Sequence, residues 1–143
     1  MADAAGLLGT WKMVSWTREV VATGAVSDAM GPDPIGYLAY HADGRMFAFV
    51  LERDRPAFTG KPPTGEEKVK LFDSMLAYTA TYTIEDKQVI HHVDAAWTPG
   101  WVGDLIRPFA LGHDTLTISG APSKDPRTGE DVLYRLVFER LGH

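Results

Sequence analysis

Apolar and polar residues alternate with a period of two along most of this sequence, and this pattern limits its possible folds more than any other feature. Successive side chains of a β-strand point to opposite faces, so each alternating run predicts a strand with one buried face. Eight short strands separated by turn residues favour an all-β fold, either a closed antiparallel barrel or a sandwich. The predicted strands are 11–21, 35–41, 45–52, 78–85, 88–96, 104–111, 115–119 and 131–140.

One segment between the third and fourth predicted strands breaks this pattern. Thr64 and Glu67 have the spacing of a capping box, in which each side chain bonds the backbone N–H of the other residue. Apolar residues then recur at helical spacing, namely Val69, Phe72, Met75 and Leu76. We therefore predict a helix over 66–76 that lies across one opening of the barrel.

Composition excludes several classes of protein. The chain has 143 residues, no cysteine and a formal net charge of -5. The length predicts one domain over 1–143. The lack of cysteine excludes disulfides, thiolate metal sites and cysteine nucleophiles. An acidic chain does not have the basic surface that binds nucleic acid or an anionic membrane. Because residues 1–9 do not resemble a signal peptide and no apolar run approaches the ~20 residues of a membrane span, we expect a cytoplasmic protein.

The alternation also predicts which side chains face the interior. A two-residue loop over 86–87 keeps the fourth and fifth strands in phase and places Tyr82 opposite His91. The strands at 35–41 and 45–52 are apolar on both faces, so the pattern does not assign them. For four of the other strands the predicted interior residues are Tyr78, Ala80, Tyr82, Ile84, Val89, His91, Val93, Ala95, Leu105, Arg107, Phe109, Leu111, Val132, Tyr134, Leu136 and Phe138.

The two ends of the sequence resemble those of lipocalins. Gly9-Thr10-Trp11 matches the Gly-x-Trp opening of that family, in which the Trp closes one end of an eight-stranded barrel. Arg140 stands near the end of the last strand, where the family has an Arg that packs across this Trp. The resemblance implies that Trp11 and Arg140 stack at a closed end, a favourable arrangement for a guanidinium on an indole face.

The chain as a whole is similar to the bacterial and fungal lipocalin-like domain family, whereas secreted lipocalins have a signal peptide and disulfides. This resemblance implies an eight-stranded antiparallel lipocalin-like barrel and does not specify an activity. The glycine-rich run that follows the Trp in nitrobindin-like haem barrels is absent, because residues 12–15 contain no glycine. The stretches that carry the resemblance are 9–15, 36–40, 43–46, 78–82, 91–93 and 103–107.

Arg107 is the most informative polar residue of the predicted interior. Its neighbours on the same face are apolar, and a buried guanidinium costs free energy unless it is paired or hydrated. One interpretation is that Arg107 binds an anionic or carbonyl group of a ligand, with His91 and Tyr82 beside it. The alternatives are an internal polar network, or an outward-facing Arg107 if the register differs. A carboxylate such as Glu19 or Glu52 could also pair with Arg107 and leave it with a purely structural role.

His91 also has two interpretations. Imidazole titrates near neutral pH, so His91 could act as a general acid or base while Arg107 or a tyrosine stabilises an oxyanion. Alternatively, His91 is a core histidine that is hydrogen-bonded to a tyrosine. A metal site is not expected, because the adjacent His91 and His92 point to opposite faces of one strand. The sequence contains no nucleophile elbow, phosphate loop or dinucleotide fingerprint.

Two further features could line or close an opening of the barrel. Trp97 and Trp101 flank a short loop after the fifth strand, where they either line an entrance or plug that end. The loop over 53–63, which contains Phe58, and the helix after it form either a mobile lid or a fixed cover.

These observations favour a cavity that binds a small apolar or amphipathic molecule with a polar or anionic group. Two other functions stay open: a cofactor-independent isomerase or cyclase that uses His91, Arg107 and Tyr82, and a structural barrel with a filled interior. We expect no cofactor, no metal, and a monomer or homodimer. The predicted ligand-binding residues are Tyr78, Tyr82, His91, Arg107, Tyr134, Trp97 and Trp101.

Overall fold

The computed structural model describes residues 6–55, 62–120, 122–125 and 128–142. Within these ranges the chain forms ten strands, one α-helix and one short 3-10 turn at Pro99–Trp101. The helix α1 is Gly65–Asp73. The strands are β1 Gly9–Val20, β2 Val26–Asp28, β3 Ile35–Tyr40, β4 Arg45–Leu51, β5 Met75–Glu85, β6 Gln88–Ala96, β7 Gly103–Leu111, β8 Thr115–Ser119, β9 Ser123–Lys124 and β10 Asp131–Leu141. Phe58, which is predicted to lie in a loop that forms either a mobile lid or a fixed cover, lies outside the described residues.

The eight longer strands close into an antiparallel barrel, which decides between the barrel and the sandwich. Neighbouring strands pair in the order β2-β1-β3-β4-β5-β6-β7-β8-β10-β9, and β1 also pairs with β10 to complete the circle. The prediction of an eight-stranded lipocalin-like barrel is therefore confirmed. Two short strands, β2 and β9, add to β1 and β10 at their margins. They have three and two residues, too few for a period-two pattern to show.

The predicted register between β5 and β6 is confirmed. Tyr82 lies opposite His91, and Ile84 lies opposite Val89. Asp86 adopts a left-handed conformation with φ of 56° in the connecting turn, which suits the positive φ that tight hairpins require. The two-residue loop thus determines which side chains of β5 and β6 point to the same face.

A β-bulge corrects the predicted facing of the far end of β6. Tyr78 pairs with Ala96 and Ala80 pairs with Val93, so β6 has one residue more than β5 between these pairs. An extra residue reverses the alternation that follows it. Ala95 is therefore exposed, whereas Ala96 packs against the core.

A second bulge interrupts β1. Met13 pairs with Phe138 and Ser15 pairs with Val137, so Val14 is the extra residue, and its side chain is exposed. Beyond the bulge the alternation is reversed, and Trp16 and Arg18 face the interior.

The structure assigns the two strands whose facing the sequence pattern left open. In β3 and β4 the buried side chains are Leu38, Tyr40, Met46, Ala48 and Val50. The outward side chains of the same strands include Tyr37, Phe47 and Phe49, all of which are exposed. Apolar residues on both faces made these two sets indistinguishable by pattern.

Trp11 and Arg140 lie at one end of the barrel, which we name the closed end. The guanidinium carbon of Arg140 lies 4.2 Å from the centre of the Trp11 ring, so the predicted stack is confirmed. Arg140 also donates to the carbonyl oxygens of Leu8 and Gly6 at 2.8 and 2.9 Å. The Trp11 indole N–H donates to the Leu7 carbonyl at 2.9 Å. These bonds hold the segment before β1 across the closed end.

The helix α1 begins where the sequence predicts and ends earlier. Both capping-box bonds between Thr64 and Glu67 are present. The helix stops at Asp73, however, because Met75 and Leu76 already pair with β4 as the first residues of β5. A short apolar run fits both periods, so the pattern did not separate the helix end from the strand start.

The helix borders the opposite end of the barrel, which we name the open end. No residue of α1 is buried, so the helix does not form a packed plug. Its last turn brings the Phe72 ring to 6.2 Å from the ring of Trp97. The helix is also held by Arg55, which donates to the Leu71 carbonyl at 3.1 Å.

We expect Arg140→Ala to lower the free energy of unfolding by about 1–2 kcal/mol, because it removes the contact with the indole face and the packing of the side-chain stem. The measurement is urea unfolding followed by circular dichroism. Arg135→Ala is the matched control, since Arg135 is exposed on the outer face of the same strand. Equal effects of the two substitutions would contradict the structural role of the stack.

Candidate functional site

The interior of the barrel is hollow toward the open end. It contains a cavity of about 630 Å³, lined by residues of the barrel strands and of the loops at that end. This volume lies within the range of about 300–1,000 Å³ that is usual for small-molecule pockets. Of the predicted ligand-binding residues, those on the lining are Tyr78, His91, Trp97, Trp101, Arg107 and Tyr134.

An aromatic wall runs from the open end into this cavity. The Trp97 and Trp101 rings lie 5.1 Å apart on either side of the 3-10 turn, and Trp101 lies 5.8 Å from the Tyr78 ring. On the opposite side, Trp16 and Tyr134 meet edge to face at 6.1 Å. The two tryptophans of the loop therefore line the cavity and do not plug its end. Such a surface suits the apolar body of a ligand.

Arg107 brings a permanent positive charge to the cavity lining. Its guanidinium carbon lies 6.0 Å from the centre of the Trp101 ring, at the limit of a cation–π contact. No carboxylate of the described residues forms an ion pair with it. Glu19 is exposed, because the bulge in β1 turns it outward, and Glu52 forms no ion pair within the same residues. Neither glutamate is the counter-charge of Arg107.

His91 lies between two tyrosine hydroxyls. Its Nε2 atom is 2.7 Å from the hydroxyl of Tyr40, and its Nδ1 atom is 2.8 Å from the hydroxyl of Tyr78. His91 is 1% exposed and Tyr40 is also 1% exposed. We refer to these three residues as the Tyr–His–Tyr chain. Because both ring nitrogens are engaged, His91 has no free nitrogen to exchange a proton with a ligand.

The Tyr–His–Tyr chain is electrically neutral. Burial lowers the pKa of His91 to about 3, and the positive charge of Arg107 acts in the same direction. Burial raises the pKa of Tyr78 to about 12, although Arg107 opposes this effect. Burial also raises the pKa of Tyr40 well above its usual range. At neutral pH the imidazole therefore has one N–H, and both hydroxyls keep their protons.

Tyr82 does not take the position that its pairing with His91 predicts. Its side chain is on the interior face but lies toward the closed end, and its hydroxyl donates to the His41 carbonyl at 2.8 Å. Its ring meets the Tyr40 ring edge to face at 4.9 Å. Tyr82 is absent from the cavity lining, and Tyr40 is the residue that bonds His91 on this side.

Three residues of the site, Tyr40, Trp16 and Arg18, were not predicted from the sequence. Tyr40 lies in a strand that is apolar on both faces, so its orientation had no signal in the pattern. Trp16 and Arg18 face the cavity only because Val14 forms a bulge, and a single extra residue leaves no clear mark in the sequence.

Charged residues form ion pairs near the opening of the cavity. Arg18 forms ion pairs with Asp125 at 2.7 Å and with Glu130 at 3.3 Å. Asp125 has a side chain that is 6% exposed, so this pair is partly shielded from solvent. The contacts tie the loop after β9 to the first strand beside the cavity.

Other polar groups do not form a second centre in the described part of the chain. His92 lies on the outer face, where it contacts Thr83 at 3.0 Å and Asp104 at 2.8 Å. Among the described residues no cluster of three or more His, Asp or Glu has the geometry of a metal site. The same residues include no helix with the length and apolar character needed to span a membrane.

A closed antiparallel barrel with a hollow interior and one short helix is a lipocalin-like barrel. The family model described as a lipocalin-like domain matches residues 8–141, so the chain belongs to the lipocalin-like domain family. This confirms the resemblance carried by Trp11 and Arg140.

The solved structures include a similar fold. The crystal structure of a lipocalin-like protein from Bacteroides uniformis ATCC 8492 matches with a TM-score of 0.50 and 13% sequence identity. The match covers 95% of this chain and 99% of that chain. At this identity it supports the fold alone. No curated protein matches the chain.

The pKa of His91 leads to a prediction about stability. The pKa is about 3 in the folded protein and about 6.5 in the unfolded chain, so the unfolded state binds one more proton between these values. We therefore expect the contribution of His91 to stability to be complete above pH 6.5 and to be lost as the pH falls toward 3. The slope reaches at most about 1.4 kcal/mol per pH unit.

The measurement is urea unfolding of the unmodified protein and of His91→Gln over this pH range, since their difference isolates one group. His113→Gln is the control, because the side chain of His113 is 99% exposed. If the free energy of unfolding depends on pH in the same way for the unmodified protein and for His91→Gln, the buried imidazole is not responsible for the loss of stability at low pH.

Proposed function

We propose that the protein binds a small, mostly apolar molecule with a carbonyl or anionic group inside the barrel cavity. The observation that carries this proposal is Arg107, a cation on the lining of a cavity of about 630 Å³ that has no ion-pair partner among the described residues. Arg107 is half-buried, and a charge that is partly removed from water is unfavourable unless another group compensates it. An anionic ligand would supply that compensation.

The walls of the cavity support an apolar body for this ligand. Trp16, Trp97, Trp101 and Tyr134 offer large flat surfaces, and aliphatic side chains such as Ile118 complete the lining. Sites for small molecules commonly combine such walls with a few polar groups that fix orientation. Membership of the lipocalin-like domain family is compatible with small-molecule binding in general.

The other two functions receive less support from the geometry. A structural barrel would fill its interior with side chains, and this interior is hollow toward the open end. An isomerase or cyclase that uses His91 as its proton-transfer group needs a free ring nitrogen, and both nitrogens already contact tyrosines. The cytoplasmic location, the absence of a cofactor and the monomeric or homodimeric state stay predictions.

The experiment compares two fluorescent probes with similar ring systems. Anilinonaphthalene sulfonate is an anion, and N-phenyl-1-naphthylamine is neutral. We expect both to bind the unmodified protein. In Arg107→Met the dissociation constant of the sulfonate should rise by about ten-fold or more, because a hydrogen bond to a charged group contributes ~1.5–3 kcal/mol. The neutral probe should bind as before.

Two controls make this test specific. Arg135→Met removes the same charge from the outer face and should change neither affinity. The stability of Arg107→Met should be equal to or greater than that of the unmodified protein, because an uncompensated charge has left the interior. Failure of both probes to bind the unmodified protein would overturn the proposed function.

A further inference from the structure

We propose that the cavity selects a carboxylate, and that Tyr40 sets this selectivity without touching the ligand by fixing the tautomer of His91. The proposal rests on the proposed function and specifies the ligand class of the same site. It follows from which oxygen and nitrogen atoms of the Tyr–His–Tyr chain carry a proton. Three groups share two hydrogen bonds there, so one tyrosine proton has no acceptor within the chain, and only one arrangement places that proton at the cavity, where Tyr78 is on the lining and Tyr40 is not.

The hydroxyl of Tyr40 has a single position for its proton. Its hydroxyl contacts Nε2 of His91 at 2.7 Å and has no other hydrogen-bond partner among the described residues. Tyr40 is 1% exposed, so water does not reach this hydroxyl. If Nε2 carried the proton, the Tyr40 oxygen would accept it and the Tyr40 proton would be buried without an acceptor, which is strongly unfavourable. The Tyr40 hydroxyl therefore donates to Nε2.

The direction of the hydrogen bond from Tyr40 to His91 also sets the direction of the bond between His91 and Tyr78. A neutral imidazole has one acceptor and one donor nitrogen, so Nε2 as acceptor makes Nδ1 the donor. Nδ1 lies 2.8 Å from the Tyr78 oxygen, and His91 therefore donates to Tyr78. The Tyr78 oxygen is thereby occupied as an acceptor, and its own proton is free. Because Tyr78 lines the cavity, this proton is available to a ligand.

The result is a cavity that is rich in donors. Arg107 has donors in a planar fork, and Tyr78 adds an O–H whose direction is fixed. The carboxylates on the lining lie at the open end: Asp73 is the last residue of α1, and Asp125 follows β9 and pairs with Arg18.

A carboxylate fits these donors better than the alternatives. It has two acceptor oxygens in one plane, which match the guanidinium fork, and its charge compensates Arg107. An alcohol can also accept from these donors, but it has a single oxygen and no charge to compensate Arg107, and an amine that is protonated at neutral pH would add a second positive charge beside Arg107. The same reasoning explains how Tyr40 acts at a distance: without its hydroxyl, His91 can change tautomer, and Tyr78 can donate to Nδ1 instead of to the ligand.

The binding experiment uses a matched pair, 2-naphthoic acid and 2-naphthalenemethanol, each displacing N-phenyl-1-naphthylamine at neutral pH. We expect the unmodified protein to prefer the acid by about ten-fold or more. Tyr40→Phe should reduce this preference about three-fold or more while the alcohol binds as before. Tyr82→Phe is the control, because Tyr82 packs on Tyr40 but lies outside the cavity lining.

A second measurement tests the tautomer directly. Nitrogen-15 NMR of the imidazole rings in the unmodified protein should show His91 with a proton on Nδ1 and none on Nε2. His91→Gln identifies the signal. A proton on Nε2 would overturn the inference even if the acid binds.

The outcomes separate this inference from the function on which it rests. If the naphthyl probes bind and the acid has no advantage over the alcohol, the carboxylate assignment is wrong while the binding function stands. An acid preference that Tyr40→Phe leaves unchanged overturns the role of Tyr40. If no probe binds, the proposed function itself fails.

Discussion

The contact between Arg140 and Trp11 joins the two ends of the chain, and the hollow barrel depends on that junction. Pairing of β1 with β10 runs from Thr10 opposite Leu141 to Val20 opposite Val132, and it removes the open edges of the sheet. At the closed end, Arg140 binds backbone carbonyls of the preceding segment while its flat guanidinium covers the indole. With this end closed, the cavity can open at the other end without loss of the circular hydrogen-bond network.

The cavity lining places the positively charged guanidinium of Arg107 near the neutral imidazole of His91. Burial lowers the pKa of His91, and the positive charge of Arg107 acts in the same direction, so the imidazole is neutral at neutral pH. A neutral imidazole can bridge two hydroxyls, whereas an imidazolium would place a second positive charge in the same low-dielectric space. The neutral chain keeps Tyr78 in place beside Arg107 before any ligand arrives, which reduces the entropy that binding must overcome.

The sequence allowed much of the fold to be predicted, and less of the site. Alternation and a two-residue loop were sufficient to place Tyr82 opposite His91, because parity propagates along a regular strand. The prediction was wrong beyond Val93, where one extra residue reverses the alternation without a distinctive local sequence. A second extra residue, Val14, sets the facing of β1 in the same way, and that facing was not predicted. Tyr40 was missed for another reason: where both faces of a strand are apolar, burial depends on how the sheet closes, which is a property of the whole barrel.

The aromatic wall has a spectroscopic consequence. Of the four tryptophans, three line the cavity and one, Trp11, lies beneath Arg140 at the closed end. The tryptophan fluorescence of the protein therefore has two parts, one from the three tryptophans of the cavity and one from Trp11. A molecule that enters the barrel would change the surroundings of Trp16, Trp97 and Trp101, whereas Trp11 is buried at the closed end and would keep its surroundings. The protein thus contains its own optical reporter of occupancy, with an internal reference, and ligand screening needs no label.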